Sequence, residues 1–331
     1  NNGFEQPILK GVSKTSFFYF AHSYFVEKPD NCDFTVESDY STTFTSIFKF
    51  KNIYGVQFHP EKSHHQGIRI LKNFVDIWLY RPRIIPVLSL SNNALVKTIK
   101  FKDEIYIGDP INAVKIFNDL KADELVFLDI NASKNKSSIS PEFIKKIAEE
   151  AFMPFAVGGG INDLNLAKDL INNGAEKVVI NTSLSKKPKL IIDIVKMFGS
   201  QSVIGSIDIK ENIFGKNYAY IYGGTKKVKQ ELRDYILFVE DLGVGEILIN
   251  TIRNDGLMIG YNKDIIEFAN SITTVPIIAC GGANNLNDMA NIILHGAHAA
   301  AAGSLFLFHS RTKGILINYP TDEELYELFS Q

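Results

Sequence analysis

From residue 84 onward, short apolar runs rich in β-branched residues alternate with amphipathic segments of helical length. This alternation is typical of β-α units built on a parallel sheet. Eight such units close the sheet into a barrel, so the sequence predicts an α/β fold, a (β/α)8 TIM barrel. The predicted strands are 84–90, 124–130, 153–161, 177–184, 202–210, 246–252, 275–283 and 299–306. Helices are predicted at 141–151, which begins with Pro141, and at 163–173, which stops before Gly174.

An internal repeat divides this region into halves. FAVGGGINDLN at 155–165 returns as IIACGGANNLN at 277–287, and VVINTSL at 178–184 returns as AAAGSLF at 300–306, each about 122 residues later. The period is half a barrel. The two glycine-bearing strands should therefore face each other across the barrel mouth, and a ligand with two similar ends is predicted.

Small residues mark the carboxyl ends of these four strands, where barrel enzymes place their active sites. They allow backbone N–H groups to approach an anion, and the following helix adds its positive amino-terminal end. One glycine pair alone is more often a tight turn, but two matched sets predict two phosphate cradles. The cradle residues are Gly159, Gly160, Asn181 and Thr182 in one half, and Gly281, Gly282, Gly303 and Ser304 in the other.

Charged residues lie between the cradles. Asp208 ends the fifth predicted strand, Asp129 ends the second, Lys97 follows the first and Asp255-Gly256 follows the sixth. A carboxylate here can act as a general acid or base, and neighbouring like charges raise its pKa. The alternative for such an aspartate is a helix N-cap. Capping is less convincing for Asp208, because Ile209 follows it rather than an obvious helix.

Composition excludes several classes of protein. The 331 residues are 45% hydrophobic with a net charge of −2, which predicts a soluble globular protein without a nucleic-acid partner. No apolar run reaches the roughly 18 residues of a membrane span. Cys32 and Cys280 lie far apart without metal-ligand spacing, so reduced thiols in a cytoplasmic protein are expected, with no metal and no cofactor. The opening NNGFEQPILKG does not read as a signal peptide, and because it starts with Asn1 we expect an incomplete amino terminus.

Residues 1–80 have a different character. Aromatic-rich strands are predicted in FFYFAHSYF, TTFTSIFKF and NIYGVQF, followed by one amphipathic helix from about Gln66. Ile68, Leu71, Phe74 and Val75 are predicted to share one face of this helix. Three strands and one helix make a poor core by themselves, so this segment is predicted to be the end of a larger domain.

Together these residues resemble a known family. The blocks RIIPVLSL, GDPINAV, DELVFLDI, FAVGGGI, EKVVINTSL, FGSQSVIGSID, GEILINTI and IIACGGA resemble the cyclase subunit of imidazole glycerol phosphate synthase over residues 83–320. HSYF and GVQFHPEKSHHQGIRILKNF resemble the carboxyl end of its glutaminase subunit, a class I glutamine amidotransferase. The resemblance implies a partial amidotransferase domain at 1–80 and a cyclase-like barrel at 83–331.

The resemblance also implies chemistry fed by glutamine. In this family a glutaminase with a Cys-His-Glu triad releases ammonia, which crosses the barrel to a bis-phosphorylated ribonucleotide at the mouth. Gly160, Asn181 and Thr182 would hold one phosphate of that ligand. The other phosphate would be held by Asp255, Gly256, Gly282, Gly303 and Ser304. At the opposite face, four alternating charges at strand starts match the family's ammonia gate: Arg83, Glu124, Lys177 and Glu246.

The glutaminase triad is incomplete. His59 and Glu61 in FHPEK match the family's base and its orienting acid. The nucleophilic cysteine belongs in a glycine-rich elbow, whereas Cys32 sits in PDNCDFT and is interpreted as a loop residue. The chain is therefore not expected to hydrolyse glutamine.

The cyclase pair is also altered. Ser89 of PVLSL stands where the family's cyclase has an aspartate, opposite Asp208, and a serine hydroxyl does not exchange a proton near neutral pH by itself. The chain thus has all four gate charges but only one of the two catalytic carboxyl groups. In this combination it resembles the barrel paralogues associated with glycosyl amidation in surface polysaccharide biosynthesis. KTIKF at 97–101 and ILINYP at 315–320 also fit that subgroup.

Three hypotheses follow. The first is a barrel that relays ammonia from a glutaminase to a partner sugar amidotransferase while retaining its phosphate cradles. The second is a true cyclase of histidine biosynthesis. The third is a non-catalytic scaffold that docks a glutaminase and binds a phosphorylated ligand.

Overall fold

The computed structural model describes residues 6–27, 32–50, 53–79, 82–212, 214–309 and 314–329. The chain divides into two compact units, Asn1–Arg81 and Pro82–Gln331.

The first unit contains a three-stranded antiparallel sheet. Its strands β1 (Phe34–Tyr40), β2 (Thr42–Phe50) and β3 (Ile53–Val56) pair in chain order. Short 3-10 turns at Pro7–Leu9 and Pro60–Lys62 precede the sheet and the helix α1 (His64–Leu79), respectively. Ile8, Leu9, Phe34, Ile47, Phe58 and Ile70 form its small apolar core.

The predicted strand in FFYFAHSYF is wrong. These residues lie outside any strand of the described unit, and FTVESDY at 34–40 pairs with β2 instead. The Phe18 ring packs 4.4 Å from Phe58, between centroids, while the Tyr19 N–H donates to the Ser63 hydroxyl at 3.0 Å. Aromatic side chains can thus bury themselves from an extended segment whose backbone joins no ladder.

The apolar face predicted on α1 is not the face that enters the small core of this unit. Ile68, Leu71, Phe74 and Val75 are exposed, although the Phe74 ring still touches Tyr54. The side chain that enters the core is Ile70. Periodicity located an apolar stripe on the helix, but it did not say which neighbour would pack on it.

The second unit is a closed barrel, which confirms the predicted fold class. Eight parallel strands pair in the order β4-β7-β8-β9-β10-β13-β14-β15, and β15 pairs with β4 again. Short antiparallel strands extend the sheet at the carboxyl ends of β4 and β10. The strands are β4 (Arg83–Ser91), β5 (Ala94–Ile99), β6 (Lys102–Gly108), β7 (Leu125–Asp129), β8 (Phe155–Gly158), β9 (Lys177–Ile180), β10 (Val203–Glu211), β11 (Asn217–Ile221), β12 (Lys226–Lys227), β13 (Glu246–Thr251), β14 (Ile277–Cys280), β15 (Ala299–Ala302), β16 (Phe308–His309) and β17 (Gly314–Ile315).

Helices fill the connections between these strands and cover the outside of the barrel. They are α2 (Pro110–Asp119), α3 (Ala132–Asn135), α4 (Pro141–Ala148), α5 (Leu164–Asn172), α6 (Thr182–Lys186), α7 (Pro188–Phe198), α8 (Leu232–Asp241), α9 (Lys263–Asn270), α10 (Leu286–Leu294), α11 (Ser304–Leu307) and α12 (Asp322–Phe329). The main core lies between the strands and these helices. A second apolar cluster fills the barrel interior, with Ile85, Val87, Val126, Ala156, Val179, Ile204, Leu248, Ile278, Cys280, Ala299 and Ala301.

Strands β8 and β14 are shorter than predicted, because glycines with left-handed backbone end both ladders. Gly159 has φ +131° and Gly281 has φ +90°. The helices that follow begin in the same way in both halves: the Asp163 side chain accepts from Leu166 N, and the Asn285 side chain accepts from Asp288 N. The sequence repeat therefore corresponds to a repeat of local structure.

Candidate functional site

A cavity of about 440 Å³ opens at the carboxyl ends of the barrel strands. Every residue predicted at the barrel mouth lines it. These residues are Ser89, Lys97, Asp129, Gly159, Gly160, Asn181, Thr182, Asp208, Asp255, Gly256, Gly281, Gly282, Gly303 and Ser304.

The first cradle brings β8 and β9 to one edge of this cavity. Gly160 has φ +67°, and a Cβ atom there would lie 2.0 Å from the Ser137 carbonyl oxygen. The Asn181 amide donates to the Ser206 carbonyl at 3.0 Å, and the Thr182 hydroxyl accepts from the Tyr222 N–H at 3.1 Å. Both side chains are therefore used to hold the β10–β11 extension, and the backbone N–H groups and helix α6 are what this edge offers an anion.

The second cradle faces the first across the mouth. Gly282 has φ +109°, and a Cβ atom there would lie 2.2 Å from the Gly260 carbonyl oxygen. Two buried oxygens at this edge, Oγ of Ser304 and Oδ2 of Asp255, have no hydrogen-bond partner among the described residues. Because buried polar groups are nearly always satisfied, these oxygens leave room for hydrogen bonds to water or to a polar ligand.

Lys97 and Asp255 were predicted separately, and the structure joins them. Lys97 lies on β5, and its Nζ is 3.1 Å from Oδ1 of Asp255 in a buried ion pair. The Lys100 N–H donates to the Asp255 backbone carbonyl at 3.0 Å. Gly256 lets the two segments approach, because a Cβ atom there would lie 2.4 Å from the Thr98 carbonyl oxygen. The β5–β6 hairpin is thus fastened to the loop after β13.

Asp208 is the main titratable group of the mouth. It lies on β10 and is buried, and burial together with the charge of Asp255 raises its pKa to about 7. A carboxyl group with this pKa can both give and take a proton at neutral pH. Ser89 lies on β4, which is on the opposite side of the closed barrel, and brings only a hydroxyl.

Asp129 has a more structural setting. Its Oδ1 accepts from the N–H groups of Asn131 and Ala132, at 3.1 and 3.0 Å, and so holds the turn that leads into the short helix α3. Burial raises its pKa, although those two hydrogen bonds oppose the shift. The N-cap of α3 is Asn131, so the N-cap alternative describes neither Asp129 nor Asp208.

At the other end of the barrel, the four predicted gate residues form a continuous ring. Arg83 Nη1 is 2.5 Å from Glu124, and Lys177 Nζ is 3.1 Å from Glu124 and 2.8 Å from Glu246. Arg83 also pairs with Glu246. Burial would raise the pKa of Glu246, but Arg83 and Lys177 outweigh it and lower that pKa. Each carboxylate thus bridges both cations.

In the first unit, His59 Nδ1 lies 3.0 Å from Glu61 Oε1, as the predicted base and acid require. Both side chains are largely exposed. No hydrogen bond joins Cys32 to His59 in the described part of this unit. The pair stands without a nucleophile there.

Several residues of the mouth were not predicted from the sequence. Four lysines on or just after the short helices α3 and α6 line the cavity beside the first cradle: Lys134, Lys136, Lys186 and Lys187. Ser206, Asn250 and Cys280 line the cavity from β10, β13 and β14. The strand residues had a usable signal, since each follows an inward apolar residue by two positions along its strand. The lysines had none, because surface loops are commonly rich in lysine.

None of the described helices is long and apolar enough to span a bilayer. No three His, Cys, Asp or Glu side chains of the described residues gather in a way that could hold a metal ion.

Comparison with known proteins gives two family matches. The histidine biosynthesis protein family matches residues 83–312, and the class-I glutamine amidotransferase family matches residues 2–78. A Leptospira borgpetersenii protein provisionally named imidazole glycerol phosphate synthase subunit HisF is 45% identical over 76% of this chain and 100% of its own length. A Pseudomonas aeruginosa protein provisionally named subunit hisF2 is 42% identical over 75% of this chain and 99% of its own. Subunit HisF of a Thermotoga strain is 42% identical over 68% and 89%.

Proposed function

The chain belongs to the histidine biosynthesis protein family, and on that premise we propose that its barrel relays ammonia within a glutamine-dependent amidotransferase system. Ammonia enters at the charged ring and leaves at the phosphate-binding mouth. The match of residues 2–78 to class-I glutamine amidotransferases supports a glutaminase as the source, in this polypeptide or in a partner subunit.

The interior of the barrel supports such a path. Above the ring of Arg83, Glu124, Lys177 and Glu246, the inward side chains are apolar up to the level of the mouth. Neutral ammonia crosses an apolar interior at far lower cost than a charged ion does. The ring then separates the interior from bulk solvent.

One observation favours an ammonia relay over a cyclase that closes the ring. Among the aspartates predicted at the mouth, Asp208 makes no side-chain hydrogen bond or ion pair to a described residue, and Ser89 lies across the barrel from it. Asp129 accepts from two backbone N–H groups, and one oxygen of Asp255 pairs with Lys97. Ring closure in the family uses two opposed carboxyl groups. We therefore assign the reaction that consumes the ammonia to another enzyme.

We propose that this enzyme is a sugar amidotransferase of surface polysaccharide biosynthesis, and that the two cradles bind a phosphorylated ligand. What supports this is the serine at position 89 together with the segments KTIKF and ILINYP. The unpartnered oxygens of Ser304 and Asp255 support a polar ligand at the second cradle.

A second candidate is a genuine imidazole glycerol phosphate synthase cyclase, the activity in the relatives' names. The pKa of Asp208, near 7, favours it, because one group at that pKa could serve first as acid and then as base.

The two candidates separate in a direct assay. The chain is supplied with ammonium salt and the bis-phosphorylated ribonucleotide, and ring closure is followed. We expect no turnover from the native chain, and transfer of ¹⁵N from labelled ammonium to a sugar when a sugar amidotransferase is added. Turnover that Asp208→Asn abolishes would overturn the relay. Ligand binding without any effect on nitrogen transfer would instead support the scaffold hypothesis.

A further inference from the structure

Four lysines line the mouth cavity beside the first cradle. Lys134 and Lys136 lie on or just after α3, whereas Lys186 and Lys187 lie at the end of α6. None of the four forms an ion pair with a carboxylate in the described parts of the chain. A group of like charges that the protein leaves uncompensated at one edge of a cavity attracts an anion to that edge.

The lysines of α6 are held close to the cradle residues. Lys187 Nζ donates to the Asn162 carbonyl at 2.7 Å, and Asn162 follows Gly160 by two positions. Lys186 is the last residue of α6, which begins at Thr182. Because residues four apart on a helix share a face, Lys186 lies on the same side of α6 as Thr182.

Lys134 approaches the cradle from a second loop. A Cβ atom at Gly223, in the turn after β11, would lie 3.3 Å from Lys134 Nζ. The adjacent Tyr222 N–H donates to the Thr182 hydroxyl at 3.1 Å. The positive charges therefore come from two different loops that meet at the same cradle.

The half-repeat of the barrel does not extend to these charges. About 122 residues later, the corresponding positions hold Gly256, Met258, Phe308 and His309. A cation does lie beside the second cradle, since Lys97 Nζ would be 3.3 Å from a Cβ atom at Gly303, but it is paired with Asp255. The two edges of the mouth thus share glycine turns and differ in charge, and a ligand that fits both must have unlike ends.

We propose that the first cradle and its lysines bind a diphosphate group. The inner phosphoryl group lies against the backbone N–H groups of the cradle, and the outer one lies among the lysine side chains. Lysine ammonium groups are common phosphate ligands, and they act as point charges that need no fixed geometry. The end of the ligand at the second cradle carries less negative charge. The inference rests on the proposed function, because it assumes a phosphorylated ligand at the cradles.

The test compares pyrophosphate with orthophosphate by isothermal titration calorimetry of the full chain, at constant ionic strength and without divalent metal. We expect pyrophosphate to bind about tenfold more tightly, because only its second phosphoryl group reaches the lysines. Lys186→Gln and Lys187→Gln should each weaken pyrophosphate binding about threefold to fivefold, the size of one exposed ion pair, and orthophosphate binding by less than about twofold. Lys189→Gln is the matched control, because this exposed lysine of α7 does not line the cavity.

Equal affinity for the two anions overturns the inference. Equal losses for both anions in the lysine variants also overturn it, because they would show that the lysines attract any anion without holding a second phosphoryl group. The same is true if Lys189→Gln weakens pyrophosphate binding as much as Lys186→Gln does. All three results leave the phosphate cradle and the ammonia relay of the proposed function in place.

Two other results bear on the proposed function. Binding of neither anion overturns the inference together with the phosphorylated ligand of the proposed function. The expected preference for pyrophosphate without ¹⁵N transfer to a sugar supports the inference and contradicts the relay alone.

Discussion

At the scale of single residues, Asp208 concentrates the chemistry of the mouth. Burial and the nearby Asp255 raise its pKa to about 7, while Lys97, which could have lowered it, is paired elsewhere. Burial and the same two aspartates raise the pKa of the neighbouring Cys280 thiol to about 12, so that this thiol remains neutral. Asp208 on β10 and Cys280 on β14 flank β13, where both are in register with Asn250.

The pKa of Asp208 predicts a pH-dependent stability. Between its ordinary value of 3.8 and about 7, the folded chain keeps a proton that the unfolded chain has released, so folding stability falls as pH rises through this window. Asp208→Asn cannot ionise. We expect it to raise Tm more at pH 8 than at pH 5 in thermal unfolding. Ser91→Ala, a neutral change, should shift Tm equally at both pH values, and an equal shift for Asp208→Asn would contradict the prediction.

Position 89 predicts a gain of function. Ser89→Asp restores a carboxyl group opposite Asp208, which provides both an acid and a base for ring closure. We expect the variant to close the ring from ammonium and the bis-phosphorylated ribonucleotide, while the native chain does not. Ser89→Asn has the same size without the acid and should remain inactive. Equal activity in the Asp and Asn variants would sink the idea.

At the scale of elements, glycine-ended strands and charged strand starts define the two ends of the barrel. The glycine turns give the mouth its shape, because left-handed backbone and close carbonyl contacts coincide at Gly160 and Gly282. Strands β4, β7, β9 and β13 bring the ring charges together from across the sequence. The mouth and the charged ring are therefore each built from several strands and not from one element.

The cradle turns predict a specific stability loss. Gly160→Ala must place a Cβ atom against the Ser137 carbonyl from a left-handed backbone, so we expect a loss of about 1–3 kcal/mol in the free energy of unfolding. Gly108→Ala is the control, since no atom lies within 4 Å of its Cβ position. Denaturant unfolding measures both. A loss of similar size in the two variants would show that the close contact does not matter.

The ring predicts a second loss. Glu124→Gln leaves Arg83 and Lys177 with one carboxylate between them. We expect the free energy of unfolding to fall by about 2 kcal/mol. This is less than the loss for a fully buried pair, because Arg83 is partly exposed. Glu150→Gln, from the exposed pair with Lys115, should change stability by less than about 1 kcal/mol. Thermal unfolding compares them, and equal effects would argue against a coupled ring.

At the scale of the whole molecule, the two compact units differ in how many of the predicted site residues they contain. The barrel unit has a complete ring, an apolar interior and a two-sided mouth, whereas Asn1–Arg81 contributes a His59–Glu61 pair. The pair is largely exposed, and Cys32 makes no recorded hydrogen bond to it within the described part of that unit.

This asymmetry predicts that the 331-residue chain does not cleave glutamine. Purified chain incubated with glutamine should release no ammonia above the enzyme-free blank, because His59 has no thiol to activate. His59→Ala should behave in the same way, and an added glutaminase confirms that the assay works. Ammonia release that disappears in His59→Ala would contradict this prediction.

The sequence by itself determined the barrel, its half-repeat and the residues of both cradles. These features follow from local rules. Each depends on residues only a few positions away, as in the period of a strand or helix, a glycine turn, or an N-cap such as Asp163. The family match over 83–312 agrees with them.

Only the tertiary structure decided which of these residues act on one another. Lys97 meets Asp255 across 158 positions, and that pairing is what leaves Asp208 without a counter-ion. The same holds for the exposed face of α1 and for the strand expected in FFYFAHSYF, where side-chain patterns were read correctly but their packing partners were not. Burial and charge neutralisation depend on groups that are distant in sequence, and no local pattern encodes that distance.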